Sequence, residues 1–248
     1  MNCFRRMSHC ARIALCFIPC CRCFVSYVDA QLVLMRKRKR QKTLQTVWRE
    51  LYGKIHSSFS SVNISYWFDF GSLIGLAREN GVLVHDEDVD CCVSPNTDMK
   101  GVFQALVDNG FSFVRGYASN KDVTEMTFDY KGVGVDVFKC HMIGDKLGHY
   151  VYQVTNDLKT CKPIRIISHE RIRPIVTKIV ERDFGEGDSV RVAIPENFDE
   201  ILSASYGTWR IPDKTTDFCR RDIPSQYRDV VDGIEVLDLE GVKALLAL

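Results

Sequence analysis

His85-Asp86-Glu87-Asp88-Val89-Asp90-Cys91-Cys92-Val93 is the stretch on which the fold turns, because it sets charge into an otherwise apolar strand. Val82-Leu83-Val84 precede it, and Cys91, Cys92 and Val93 carry the apolar run onward. Strand side chains alternate faces, so Asp88 and Asp90 point one way while Val89, Cys91 and Val93 point into the opposite layer. Two carboxylates on one face repel each other unless a cation or a proton neutralises them. Gly132-Val133-Gly134-Val135-Asp136-Val137-Phe138 repeats the pattern, with valines at 133, 135 and 137 forming a buried face and Asp136 alone presenting charge on the other. Three aspartates are therefore expected to converge on one face of a sheet. Hard oxygen ligands of this kind suit Mg2+ or Mn2+. The chemistry expected of them is phosphoryl or nucleotidyl transfer. Asp86 and Glu87 read as the entrance of the strand.

Working outward, Leu44, Val47, Trp48, Leu51, Ile55 and Phe59 keep the three-and-four spacing of an amphipathic helix. Tyr66-Trp67-Phe68-Asp69-Phe70 then reads as a buried strand, broken by Gly71-Ser72, with Leu73 to Arg78 as a short helix. A strand, a Gly-Ser turn and a helix start expose backbone N–H groups, a ready site for an anion. After the acidic strand, Ser94-Pro95-Asn96-Thr97 announces a helix carrying Met99, Val102, Phe103, Leu106 and Val107, closed by Asn109-Gly110. Phe111 to Arg115, Val123 to Tyr130 and Val133 to Lys139 alternate like an antiparallel meander. Pro195-Glu196-Asn197 opens a further helix that Tyr206-Gly207 closes. The fold class is α+β, a mixed sheet flanked by helices.

The 248 residues are 46% hydrophobic and 26% charged, an ordinary globular composition. A formal net charge of +1 gives no reason to expect nucleic acid as a partner. The one basic run, Arg36 to Arg40, reads as a flank outside the acidic region. Six of the 11 cysteines fall in the first 23 residues, where Cys20 and Cys23 form one C-x-x-C pair with no separate second pair of that spacing to complete a zinc site. That segment carries features of a signal peptide, of a membrane anchor and of an acylated tail. Association with a membrane, in the secretory pathway or Golgi, is favoured over the cytoplasm. The sequon Asn63-Ile64-Ser65 is usable only in that case. Residues 1–42 are read as this N-terminal segment, 43–220 as the catalytic domain and 221–248 as an extension.

The ordered set Tyr66 to Arg78, then His85 to Asp90, then Val135-Asp136-Val137-Phe138 resembles the LicD family, which includes the fukutin and fukutin-related proteins. Ile194-Pro195, Leu202, Tyr206-Gly207, Trp209 and Pro212 resemble that family's C-terminal signature. The resemblance implies a nucleotidyltransferase-like fold and transfer of a phospho-alcohol, such as phosphocholine or ribitol phosphate, from a CDP-linked donor to a glycan hydroxyl. The acceptor would be a glycan, glycolipid or glycoprotein. Carried across, Asp88 and Asp90 are the metal ligands, and Asp136 is a third ligand or the base for the acceptor hydroxyl. Gly71 and Ser72 cradle donor phosphates, and Arg78 neutralises them. The chain departs from the family at His85, where an aromatic residue is usual, and at Leu83-Val84, where proline is.

A calcium loop is excluded, since counting from Asp86 puts Cys91 where glycine is needed and Thr97 where glutamate is needed. A nucleotide-sugar glycosyltransferase using Asp88-Val89-Asp90 is the rival enzyme, but it requires a doubly wound half upstream. A catalytically inactive relative that binds a glycan or a partner is the rival of another class. His85, Trp209 and Tyr206 read as structural, and Cys91 and Cys92 as small core residues.

Overall fold

A computed structural model describes residues 19–156, 163–212, 226–230 and 234–248, with side chains in 31–152, 170–212 and 234–248. Its first element, helix α1 (Pro19–Ser60), is one unbroken helix. Leu44, Leu51, Tyr52, Ile55 and Phe59 are fully buried along it, as their spacing predicts. Among the described residues no helix is long and apolar enough to cross a membrane. The cysteines clustered in the first 23 residues lie outside the residues whose side chains are described.

The main sheet has six strands in the order β1 (Tyr66–Phe68), β2 (Asp88–Val93), β5 (Val133–Lys139), β4 (Asp122–Tyr130), β3 (Ser112–Ser119) and β12 (Ile234–Leu237). All neighbours are antiparallel except β2 and β5, which run parallel. This is the expected mixed α+β sheet, and β3, β4 and β5 form the expected meander. Between β1 and β2 lies α2 (Phe70–Glu79), and α3 (Met99–Asp108) follows β2.

A second sheet is built from β6 (His141–Ile143), β7 (Lys146–Asn156), β8 (Pro163–Arg173) and β11 (Gln226–Val230), in the order β11-β8-β7-β6. A hairpin of β9 (Ile179–Phe184) and β10 (Val190–Pro195) leads to α4 (Phe198–Tyr206). Gly207 ends α4 at φ 63°, the left-handed conformation that glycine adopts without a steric penalty. The stretch read as an extension contributes, in its described part, β11 to the second sheet, the edge strand β12 to the main sheet, and helix α5 (Leu239–Leu246), whose Val242 is fully buried in the main core.

Two local expectations are corrected. Val82-Leu83-Val84 is not strand: a turn closed by the Asp86 amide on the Leu83 carbonyl (3.1 Å) delays β2 until Asp88. Val82 and Leu83 are buried all the same, while Val84 is 79% exposed at the turn. Nor does Gly71-Ser72 precede its helix. Asp69 caps it, accepting from the Phe70 amide at 2.8 Å, and Gly71 and Ser72 already belong to its first turn.

Candidate active site

The strand phasing places the aspartates. Odd residues of β2 and β5 (Val89, Cys91, Val93, Val133, Val135, Val137) are fully buried in the main apolar core. Even residues form the other face, where Asp90 pairs in register with Asp136 and Asp88 with Gly134. With no side chain at 134, nothing stands beside Asp88; a Cβ there would lie 3.7 Å from its own. One strand further, Thr127 pairs with Asp136 and donates to its Oδ1 at 2.5 Å, which fixes that carboxylate. Arg115 on β3 pairs in turn with Thr127, so a row Asp90, Asp136, Thr127, Arg115 crosses four strands.

Helix α2 borders this row. The Ser72 hydroxyl, buried beneath it, accepts the Asp90 amide at 3.0 Å and so ties the helix to the acidic strand. Gly71 allows close approach: a Cβ there would come within 2.7 Å of Asp86 Oδ2. Asp86 therefore packs against the first turn of α2, where free N–H groups favour a negative charge. Arg78, at the far end of α2, is turned elsewhere. Its Nη1 donates to the Trp209 carbonyl at 2.9 Å and its Nε to Glu79 at 2.8 Å.

Crowding of like charges shows in the protonation of these groups. Burial, followed by Asp88, pushes Asp86 up to about 7. Burial, followed by Asp136, pushes Asp88 up to about 6. Asp90 is raised strongly, by burial and then by Asp88 and Asp136. Asp136 is also raised by burial, with Thr127 and Arg115 pulling the other way. Four carboxyls held above their usual range on one face are a set that a divalent cation would neutralise. Among the described residues, no three Asp, Glu, His or Cys side chains close on a common point. Asp88, Asp90 and Asp136 nonetheless share that face, Asp90 and Asp136 in register on adjacent strands.

Two further groups on this face escaped the reading of the sequence. Glu125, two residues before Thr127 on β4, is 5% exposed and strongly raised by burial and then by Asp136. Its signal was the alternation Val123-Thr124-Glu125-Met126-Thr127. Beneath Cys92 and Phe138 lies a buried ion pair: Asp69 Oδ2 meets Arg173 and accepts from Trp67 Nε1 at 2.6 Å. Arg173 also donates to Cys92 Sγ at 3.2 Å, and its guanidinium lies over the Phe70 ring at 5.5 Å. A carboxylate inside the aromatic run Tyr66 to Phe70 was the signal for it. His149 is fully buried there, edge-on to Phe70, and burial followed by Arg173 keeps it neutral.

Of the residues read as structural, Trp209, Cys91 and Cys92 are buried, whereas His85 is exposed at the turn before β2 and Tyr206 is half-buried. Trp209 is buried and donates from Nε1 to Asp199 at 3.0 Å. Cys91 and Cys92 are buried on opposite faces. The basic run is not a flank: Arg40 and Lys37 of α1 reach Glu87.

Residues 63–171 match the family model described as LicD/FKTN/FKRP, nucleotidyltransferase domain. This stretch is similar to a LicD-type domain. The match begins just before β1 and ends in β8, so every residue of the acidic face lies within it. The chain is also similar to the "Ribitol-5-phosphate transferase FKTN" of Mus musculus, 24% identical over 210 residues, covering 82% of this chain and 41% of that one. The protein of the same name from Homo sapiens is 23% identical over 174 residues, covering 69% and 35%. That from Macaca fascicularis is 24% identical over 200 residues, covering 79% and 39%. The chain thus spans about two fifths of the length of these relatives.

Proposed function

We propose that this chain is a metal-dependent phosphotransferase that moves a phospho-alcohol from a CDP-linked donor to a glycan hydroxyl, releasing CMP. The observation that carries the reading is the parallel register of Asp90 with Asp136, with Asp88 on the same face and Gly71 packed against Asp86. Mg2+ or Mn2+ would be held by Asp88, Asp90 and Asp136, and would supply charge neutralisation for the donor phosphates. In the transfer, the acceptor oxygen bonds to the phosphorus of the phospho-alcohol as the bond from that phosphorus to the CMP oxygen breaks. The acceptor proton passes to a carboxylate on this face. Asp136, oriented by Thr127, and the buried Glu125 both stand there.

Among donors, the names of the relatives favour ribitol phosphate over phosphocholine. A sugar-nucleotide transferase has less support, because β1 is the only strand before Gly71 among the described residues. Association with a membrane of the secretory pathway remains part of the proposal, on the composition of the N-terminal segment. The test is a screen of the purified chain with Mn2+, a glycan acceptor, and CDP-ribitol, CDP-glycerol, CDP-choline or a UDP-sugar. CMP release from a CDP donor is expected, with loss of turnover in Asp88→Asn and Asp90→Asn while the fold persists. UDP release, or full activity in either variant, would defeat the reading.

A further inference from the structure

The cations whose charge bears on Asp86 and Asp88 stand on α1, not on α2. Lys37 and Arg40 are three residues apart and so share a face of that helix. Arg40 donates from Nε and Nη2 to Glu87 Oε2, at 2.9 and 2.6 Å, and Lys37 Nζ lies 3.4 Å from Oε1. Both cations favour the charged form of Asp88, and Lys37 does the same for Asp86.

The bridge is not what holds the loop in place. One and two turns beyond Lys37 along α1, Gln41 Nε2 donates to the His85 carbonyl at 2.8 Å and Gln45 Nε2 to the Leu83 carbonyl at 2.9 Å. These neutral bonds to the main chain anchor residues 83–85 without it. The ionic contact is open to water, with Lys37 and Arg40 each 48% exposed, and an exposed pair of this kind contributes little to stability. A guanidinium that gives up a single carboxylate oxygen at small cost is suited to a phosphate, which offers more charge and more acceptors.

We infer that Arg40, assisted by Lys37, is the cationic clamp for the diphosphate of the donor, and that Glu87 holds the guanidinium beside the acidic strand until phosphate replaces it. The inference rests on the reading of a CDP-linked donor. It assigns to α1 the neutralising role that the resemblance gives to Arg78, whose donors are engaged with Trp209 and Glu79.

Calorimetric titration of the full chain with CDP in the presence of Mn2+ tests it, with cytidine as the uncharged control. Arg40→Ala is expected to weaken CDP about tenfold, the loss of one charge-assisted contact. Arg40→Lys should recover part of that loss, since charge returns without the two-pronged donor. Glu87→Gln should tighten CDP about twofold to threefold, because the competing carboxylate is gone. A merely structural bridge predicts something else: Arg40→Ala and Glu87→Gln both break it and should weaken CDP alike. That outcome, or wild-type affinity in Arg40→Ala, overturns the clamp. Absence of CDP binding by the wild-type chain overturns the donor reading and the clamp with it, whereas CDP binding by the wild type with either variant outcome above overturns the clamp alone. Unchanged melting temperatures in the three variants are the control for folding.

Discussion

The two faces of β2 and β5 are made from the same twelve or so residues and obey opposite rules. One face, Val89, Cys91, Val93, Val133, Val135 and Val137, is fully buried against an apolar core. The other carries Asp88, Asp90 and Asp136, whose charges oppose one another across adjacent strands. Because the period of a strand is two, Val89 stands between Asp88 and Asp90, and Val135 and Val137 stand on either side of Asp136. Stability and chemistry are thus separated by a single step along the chain, and substitutions on the two faces should have opposite signs.

The largest effect is expected from breaking the apolar side. Val89→Asp would bury an uncompensated charge in the main core, and should prevent cooperative folding, as read by loss of a thermal unfolding transition. Next is the buried pair below the acidic row. Arg173→Ala leaves Asp69 buried without its cation and should cost about 3–5 kcal/mol, measured by denaturant unfolding. The acidic side should respond the other way. Asp90→Asn removes one of several repelling carboxylates and should raise the melting temperature of the metal-free protein by a few degrees, for a gain of about 1 kcal/mol. A fall in melting temperature there would break the comparison.

The smallest effect is expected from pH. Asp86 and Asp88 are raised to about 7 and about 6 in the fold, so the folded state holds protons that the unfolded chain has released. Their contribution to stability is full below the usual carboxylate range and is lost as pH rises through about 7. Melting of the metal-free protein should therefore fall between pH 5 and pH 8, and Mn2+ should flatten that slope. A slope of the opposite sign would show that cations of the protein already neutralise the aspartates.

How much of this was legible in the sequence follows from the range of each interaction. Alternation is local, so the phasing of Asp88, Asp90 and Asp136 and the opposition of Cys91 and Cys92 could be read directly. Cap and stop residues are local too: α3 ends at Asn109 and α4 at Gly207 as read, although the residue that caps the start of α3 is Asp98, just beyond the Ser94 to Thr97 stretch. The start of β2 was misplaced because Val82 and Leu83 are as apolar as strand residues yet are buried from a turn. Arg36 to Arg40 looked like a flank because nothing within that run reports that Gln41 and Gln45 seat the loop of residues 83–85 on α1. Arg173, 104 residues beyond Asp69, was invisible for the same reason.

The parallel pairing of β2 with β5 also sets an order of events in time. Asp90 and Asp136 are neighbours only after the chain between them has formed α3, β3 and β4, and closing so long a loop is entropically slower than forming the hairpins inside it. The β3–β4–β5 meander can assemble first, from contacts close in sequence. On this ground the carboxylates are expected to come together last, when the valines on the reverse of the same strands dock. Refolding should show this as an early meander and a late acidic strand, with the late step hastened at a pH where Asp86 and Asp88 hold their protons.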